Sequence, residues 1–181
     1  MSIAASLALR IRTAATVTAP YELPDGTVID EYFDEYRVAA DPALLGEVGT
    51  ALACLVPAGV DVLAGLELGG VPFALATSAA AGLPLVLVRK IPKSYGTRRQ
   101  VEGRPIGGAR VAMVDDVVRS GGQMLAAVRA LTAAGGRTTH ALAVLARPGP
   151  GRTALAGQGI SLRSLLTDAD QPQPVSLRAV R

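Results

Sequence analysis

The sequence predicts an α/β fold: a parallel sheet covered by helices on both faces, with a smaller flanking subdomain. Three observations carry this. Strand-like and helix-like segments alternate four times between residues 41 and 151. The strand-like segments are continuous apolar runs rather than alternating ones, the pattern of strands buried on both faces. Glycine or proline punctuates the junctions, as at Pro57 and Gly59, Gly82 and Pro84, and Gly135-Gly136. With 181 residues the chain is long enough to bury one core without disulfide staples, so a single domain is expected over 1–181.

In chain order, the first fifteen residues read as an amphipathic helix. Arg10 and Arg12 break the apolar run, and no basic region precedes it, which argues against a secretion signal. Asp41-Pro42 reads as a helix start, with Asp as N-cap and Pro at the first helical position. A helix follows through "ALLGEVGTALACLV", then a strand at 60–66, a loop and helix in "GGVPFALATSAAAG", and a strand in "LPLVLVRKI". The polar stretch "PKSYGTRRQVEGRPIGG" exceeds ordinary connections, which marks it as functional or mobile. Next come a strand at 109–115, a helix at 121–134 and a strand at 139–146. Residues 1–40 and about 152–181 fall outside this rhythm and are assigned to the flanking subdomain, leaving 41–151 as the core.

Composition excludes several classes. The uncharged stretch 71–88 is split by Gly82 and Pro84 into a helical half and a β-branched half, so it is a buried helix, turn and strand rather than a membrane span. A single cysteine, Cys54, rules out an internal disulfide and fits a reduced, cytoplasmic setting; its place in "ALACLV" predicts a buried thiol. Net charge is only +3 and aromatics are 3%, which favours anionic ligands mildly and gives no stacking platform for nucleic acid. No lysine follows a glycine loop as in a P-loop, and His140, the only histidine, has no Cys or His cluster beside it to make a zinc site. "GPGRTA" (149–154) matches a dinucleotide fingerprint in outline, with Asp168 in the place of a ribose acid, but too little chain follows for that fold.

The informative stretch is "VAMVDDVVRSGGQM" (111–124), where an apolar strand ends in Asp115 and Asp116 beside a polar glycine turn. Two like charges at a buried strand end oppose each other and lose hydration, so a ligand or ion must compensate them. In a parallel sheet this is where ligands bind, outside the carboxyl ends of the strands. Ser120, Gly121, Gly122 and Gln123 lead into a helix N-terminus, whose free N–H groups and dipole favour a phosphate. The carboxylates repel phosphate, so they address a sugar diol or a hydrated Mg²⁺ on the same ligand.

This stretch resembles the phosphoribosyl pyrophosphate (PRPP) motif of type I phosphoribosyltransferases, reading Val114, Asp115, Asp116, Val117, Val118, Arg119, Ser120, Gly121, Gly122. Three more stretches resemble the orotate branch of that family. "GLELGGVPFALA" (65–76) is similar to its pyrophosphate loop, at Glu67, Leu68, Gly69 and Gly70. "VRKIPKSYGTRRQVEG" (88–103) is similar to its mobile catalytic loop, at Arg89, Lys90, Lys93, Tyr95 and Gly96, with Tyr95 in place of the histidine of the best-known bacterial members. "ALAVLARPGPGRTALAGQGISLRSLLT" (141–167) places Arg147 on the orotate-binding arginine and supplies a closing strand, with Ala146 where an aspartate is usual. "DGTVIDEYFDEYRVAADP" (25–42) is a looser match to the hood segment, lacking its Lys-Ser pair and carrying Pro24, Thr27, Val28, Ile29 and Asp30 instead.

The resemblance implies a type I phosphoribosyltransferase fold with a hood. It implies transfer from PRPP to a base, with orotate as the expected acceptor and orotidine 5′-monophosphate as product. Asp115 and Asp116 would hold the ribose and, through water, Mg²⁺; residues 117–123 would hold the 5′-phosphate; Tyr32, Phe33 and Arg147 would meet the base. A homodimer is implied, its catalytic loop acting across the interface. The alternatives are another acceptor base, or a regulator that binds PRPP without catalysis, a class that would not need the Arg89-Lys90-x-x-Lys93 loop.

Overall fold

The computed structural model describes residues 5–22, 28–96 and 98–167. Pro24, Thr27 and Asp168, named above, lie outside the described residues. Helix α1 (Ala5–Ala15) leads into an antiparallel pair, β1 (Thr16–Glu22) and β2 (Val28–Phe33), followed by the short α2 (Glu35–Ala39) and by α3 (Pro42–Ala53). The core continues with β3 (Val62–Leu66), α4 (Gly70–Ala81), β4 (Leu85–Val88), β5 (Val101–Glu102), β6 (Arg110–Val118), α5 (Gly122–Ala133), β7 (Arg137–Ala146), α6 (Gly151–Ala156) and β8 (Ser161–Thr167). The six-stranded sheet has the order β5-β4-β3-β6-β7-β8, parallel throughout except for β5.

The expected helix start is present: Asp41 accepts hydrogen bonds from the N–H groups of Ala43 (3.0 Å) and Leu44 (3.1 Å), with Pro42 opening α3. Both faces of the sheet are covered. One core joins Val111 and Met113 to Met124 and Leu131 of α5 and Leu155 of α6. The other joins Ala112 and Val114 to α3 and α4, chiefly through Leu52, Phe73 and Ala74. Ile11, Ala15 and Phe33 belong to this second core, so the N-terminal elements are seated on the sheet rather than beside it. Arg12, itself 8% exposed, donates to the Thr167 carbonyl at 2.9 Å and ties α1 to the last strand. Among the described residues, no helix is long and apolar enough to cross a membrane.

Three expectations are corrected. Residues 161–167 do not join the flanking subdomain: β8 pairs in parallel with β7 from His140↔Ser161 to Ala146↔Thr167 and closes the core sheet. The strand carrying the acids runs to Val118, because β7 continues to Ala146 and supplies partners that far; Asp115 and Asp116 therefore lie within the strand and not at its end. Cys54 is exposed, since it caps the C-terminus of α3 while Leu52 takes the core-facing position.

The chain leaves β3 towards β4 on one side of the sheet and leaves β6 towards β7 on the other. The crevice between the carboxyl ends of β3 and β6 is thus a topological switch point, the position at which open α/β sheets bind ligands.

Candidate active site

Two loops meet at this crevice. The turn from β3 to α4 carries Glu67, Leu68, Gly69 and Gly70, with a cis peptide between Glu67 and Leu68. The turn from β6 to α5 carries Arg119, Ser120 and Gly121. They touch directly. A Cβ built on Gly70 would come within 2.7 Å of the Val114 carbonyl and 2.8 Å of Asp115 Oδ1, so only glycine lets the two backbones approach this far. The Gln123 side-chain amide donates to the Glu67 carbonyl (3.0 Å), bridging the turns. The Lys90 N–H donates to the Glu67 carboxylate (2.8 Å) and adds the foot of the basic loop.

Asp115 is 3% exposed, and its Oδ1 is buried without a hydrogen-bond partner. Burial first, and Asp116 second, push its carboxyl well above the usual carboxylate range. A third acid, which the sequence reading missed, completes the group. Glu35, 9% exposed at the start of α2, lies against Asp116 and is pushed up to about 7, chiefly by burial and then by the neighbouring acids. Among the described residues, the salt bridges Arg10–Glu47, Lys93–Glu102 and Arg110–Asp61 all lie elsewhere and leave the three acids unneutralised by an ion pair. A cluster of buried carboxylates with an orphaned oxygen needs protons, ligand hydroxyls or a cation to be satisfied.

The phosphate-sized space lies next to them. A cleft of about 260 Å³ is lined by the continuous run from Asp115 to Met124. Gly121 holds φ +77° at the N-cap of α5, a conformation that favours glycine, and aims the helix N-terminus into the cleft. Gly149 and Gly151 back the turn itself: the Gly151 N–H donates to the Arg119 carbonyl at 3.0 Å, and a Cβ there would stand 2.6 Å from that oxygen. The glycines of "GPGRTA" thus support the phosphate turn and do not form a nucleotide loop of their own. A smaller space of about 20 Å³ is lined by Glu67, Arg89, Lys90, Gln100 and Gln123, among others.

The remaining predicted residues divide. Tyr32 is 40% exposed; burial first, and then the charges of Glu35, Asp34 and Asp116, push its phenol up. Phe33 is corrected: successive strand residues face opposite ways, and at 6% exposed it is part of the core, not a surface for a base. Arg147 follows β7, with its N–H donating to the Val118 carbonyl (2.8 Å) at the rim of the phosphate turn. Lys93 and Tyr95 are not at the crevice; Lys93 pairs with Glu102 at 2.5 Å and Tyr95 is 72% exposed at the loop tip. Val118 packs its side chain into the core, so its backbone alone faces the cleft.

Comparison with known proteins gives a consistent picture. Residues 39–156 match the phosphoribosyl transferase domain family. The chain is 40% identical over 170 residues to an orotate phosphoribosyltransferase of a Nocardioides species, covering 94% of this chain and 95% of that protein. It is 37% identical to the orotate phosphoribosyltransferase of Halobacterium salinarum, covering 94% and 97%. Among solved structures, the orotate phosphoribosyltransferase of Mycobacterium tuberculosis, crystallised with Fe(III) dicitrate, superposes with a TM-score of 0.82 at 32% identity, covering 92% of this chain and 97% of that one.

Proposed function

The chain belongs to the phosphoribosyltransferase family, and we propose that it transfers the phosphoribosyl group of PRPP to orotate, forming orotidine 5′-monophosphate and pyrophosphate. The observation that carries this reading is the junction of the two turns at the switch point. One ligand can place a phosphate on the α5 N-terminus, a diol on the carboxylates and a second anionic group on the turn before α4.

The residues then divide the work. Backbone N–H groups of 119–123 hold the 5′-phosphate, and Asp115 and Asp116 accept hydrogen bonds from the ribose hydroxyls. The turn at Glu67–Gly70 holds the pyrophosphate, with Arg89 and Lys90 as neighbouring cations. Tyr32 and Arg147 face the acceptor base. A base nitrogen attacks the anomeric carbon while the bond to pyrophosphate breaks, through a transition state of oxocarbenium character. No enzyme nucleophile is needed; stabilising the leaving charge and excluding water are the tasks left to the protein. The basic loop supplies both by closing as a lid. In this reading it acts across a homodimer interface, which would account for Lys93 and Tyr95 standing away from the crevice of their own chain.

The donor set fits Mg²⁺. The Asp115 oxygen is orphaned, Asp116 is half-buried beside the cleft, and no group of three or more ligating side chains among the described residues could cage an ion. Mg²⁺ commonly keeps its waters and takes one or two carboxylates plus phosphate oxygens. Bound with PRPP, it would supply charge neutralisation on the departing pyrophosphate. A cytoplasmic setting belongs to the same reading and is supported by the lone thiol of Cys54.

The test is pyrophosphate release from PRPP and Mg²⁺ with orotate, uracil, adenine, hypoxanthine or nicotinate supplied separately. Release with orotate alone is expected. Release with a different base alone would contradict the acceptor and move specificity to Tyr32 and Arg147.

A further inference from the structure

The basic loop is held down by its own stem. Leu87 and Val88 of β4 pair antiparallel with Glu102 and Val101 of β5. Beyond them the Arg89 N–H donates to the Gln100 carbonyl (2.9 Å), and the Gln100 amide donates to the carbonyls of Arg89 (3.0 Å) and Lys90 (3.2 Å). The Lys93 N–H reaches the Arg99 carbonyl at 3.3 Å. At the top of this zipper the Lys93 ammonium meets the Glu102 carboxylate at 2.5 Å, with side chains only 26% and 23% exposed. The other described salt bridges, Arg10–Glu47 and Asp61–Arg110, lie outside the loop and are more exposed. Lys93 is thus the loop cation already committed to a carboxylate of its own chain.

We propose that Glu102 is a positioning residue that latches Lys93 against the loop stem and yields it only to a multiply charged anion. The inference rests on the reading of Lys93 as the lid's catalytic cation. Two partly desolvated charges do not separate unless a replacement partner is offered. A single carboxylate offers one negative charge; the pyrophosphoryl group of PRPP, or free pyrophosphate, offers several and displaces it. A sugar monophosphate offers fewer. Glu102 therefore sets a threshold on lid closure, which the pyrophosphoryl end of the substrate crosses and a sugar monophosphate does not.

Glu102→Gln keeps the shape and removes the charge. It is expected to tighten inorganic pyrophosphate, measured by calorimetry with Mg²⁺, by about three- to tenfold, the worth of one partly buried ion pair. KM for PRPP falls by the same factor while kcat changes less, and Glu102→Asp, which retains the charge, returns most of the wild-type KM. The effect must vanish in a Lys93→Ala background. Unchanged or weaker pyrophosphate binding in Glu102→Gln overturns the latch, as does equal tightening when Lys93 is already absent; the Lys93→Ala comparison decides even if the stem variant melts lower. The parent reading fails separately: wild-type protein that binds pyrophosphate yet transfers to no base would sink the transferase while leaving the Glu102 dependence measurable.

Discussion

Asp115, Asp116 and Glu35 show what the site costs the free protein. Asp115 is buried with an unpartnered oxygen, and Glu35 is pressed against Asp116. Such like-charge crowding destabilises the empty site and is relieved when ligand hydroxyls or a cation arrive. Asp115→Asn should therefore separate stability from function. Its amide can donate to Asp116, so the unliganded melting temperature rises by about 2–4 °C, while PRPP affinity falls tenfold or more. Calorimetry and thermal melts on one preparation check both; a variant with wild-type PRPP affinity would contradict the assignment of the ribose site. Glu35 gives a pH signature. Its carboxyl titrates at about 7 when folded against an ordinary 4.5, so the folded state holds a proton that the unfolded state releases between these values. The contribution of Glu35 is fully retained below pH 4.5 and lost as pH rises towards 7, after which the loss is constant. Glu35→Gln lacks this titration: the variant should gain on wild type from nothing in acid to about 1–2 kcal/mol at pH 8, less than the full shift implies because water reaches part of the group. A constant difference from pH 4 to 8 in ligand-free melts would refute the coupling.

At the scale of elements, the site depends on two glycine turns packed backbone to backbone. Gly70 has the Val114 carbonyl and the Asp115 carboxylate and Cα all within 2.9 Å of where a Cβ would sit. Neither backbone can retreat, because β6 is hydrogen-bonded on both sides by β3 and β7. Gly70→Ala should cost about 2–4 kcal/mol and weaken pyrophosphate binding together; urea unfolding with a cost below about 0.5 kcal/mol would show that the turns move freely. These contacts also explain what the sequence revealed and withheld. The Asp41-Pro42 cap, the apolar runs of β3, β6 and β7 and the helix opened by Gly121-Gly122 are local patterns, and they were legible. The membership of β8 was not: its burial alternates near its start, and only pairing with β7 identifies it as core. Glu35 was hidden for the same reason. In sequence it is one acid in a run of Asp30, Glu31, Asp34 and Glu35, and nothing local distinguishes the member that folds onto Asp116. Phe33 and Tyr32 could not be assigned to opposite faces until the register of β2 against β1 was known.

At the scale of the whole molecule, the sheet order places both turns at one crevice, and the N-terminal elements pack into the core on one face of the sheet through Ile11, Ala15 and Phe33. The basic loop, by contrast, is latched to its own stem at Lys93 and exposes Tyr95 and Ile91, at 72% and 75%. A rigid two-turn receptor with a separately held lid suits a reaction that must bind a polyanion first and exclude water afterwards. The central claim is that this receptor consumes PRPP and does not merely sense it. The most direct measurement follows the loss of orotate absorbance after addition of PRPP and Mg²⁺, with pyrophosphate quantified in the same samples. The account predicts that orotate disappears and pyrophosphate appears in equal amounts, and that omitting PRPP or Mg²⁺ abolishes both. PRPP bound at the crevice, with orotate unchanged and no pyrophosphate formed, would contradict it.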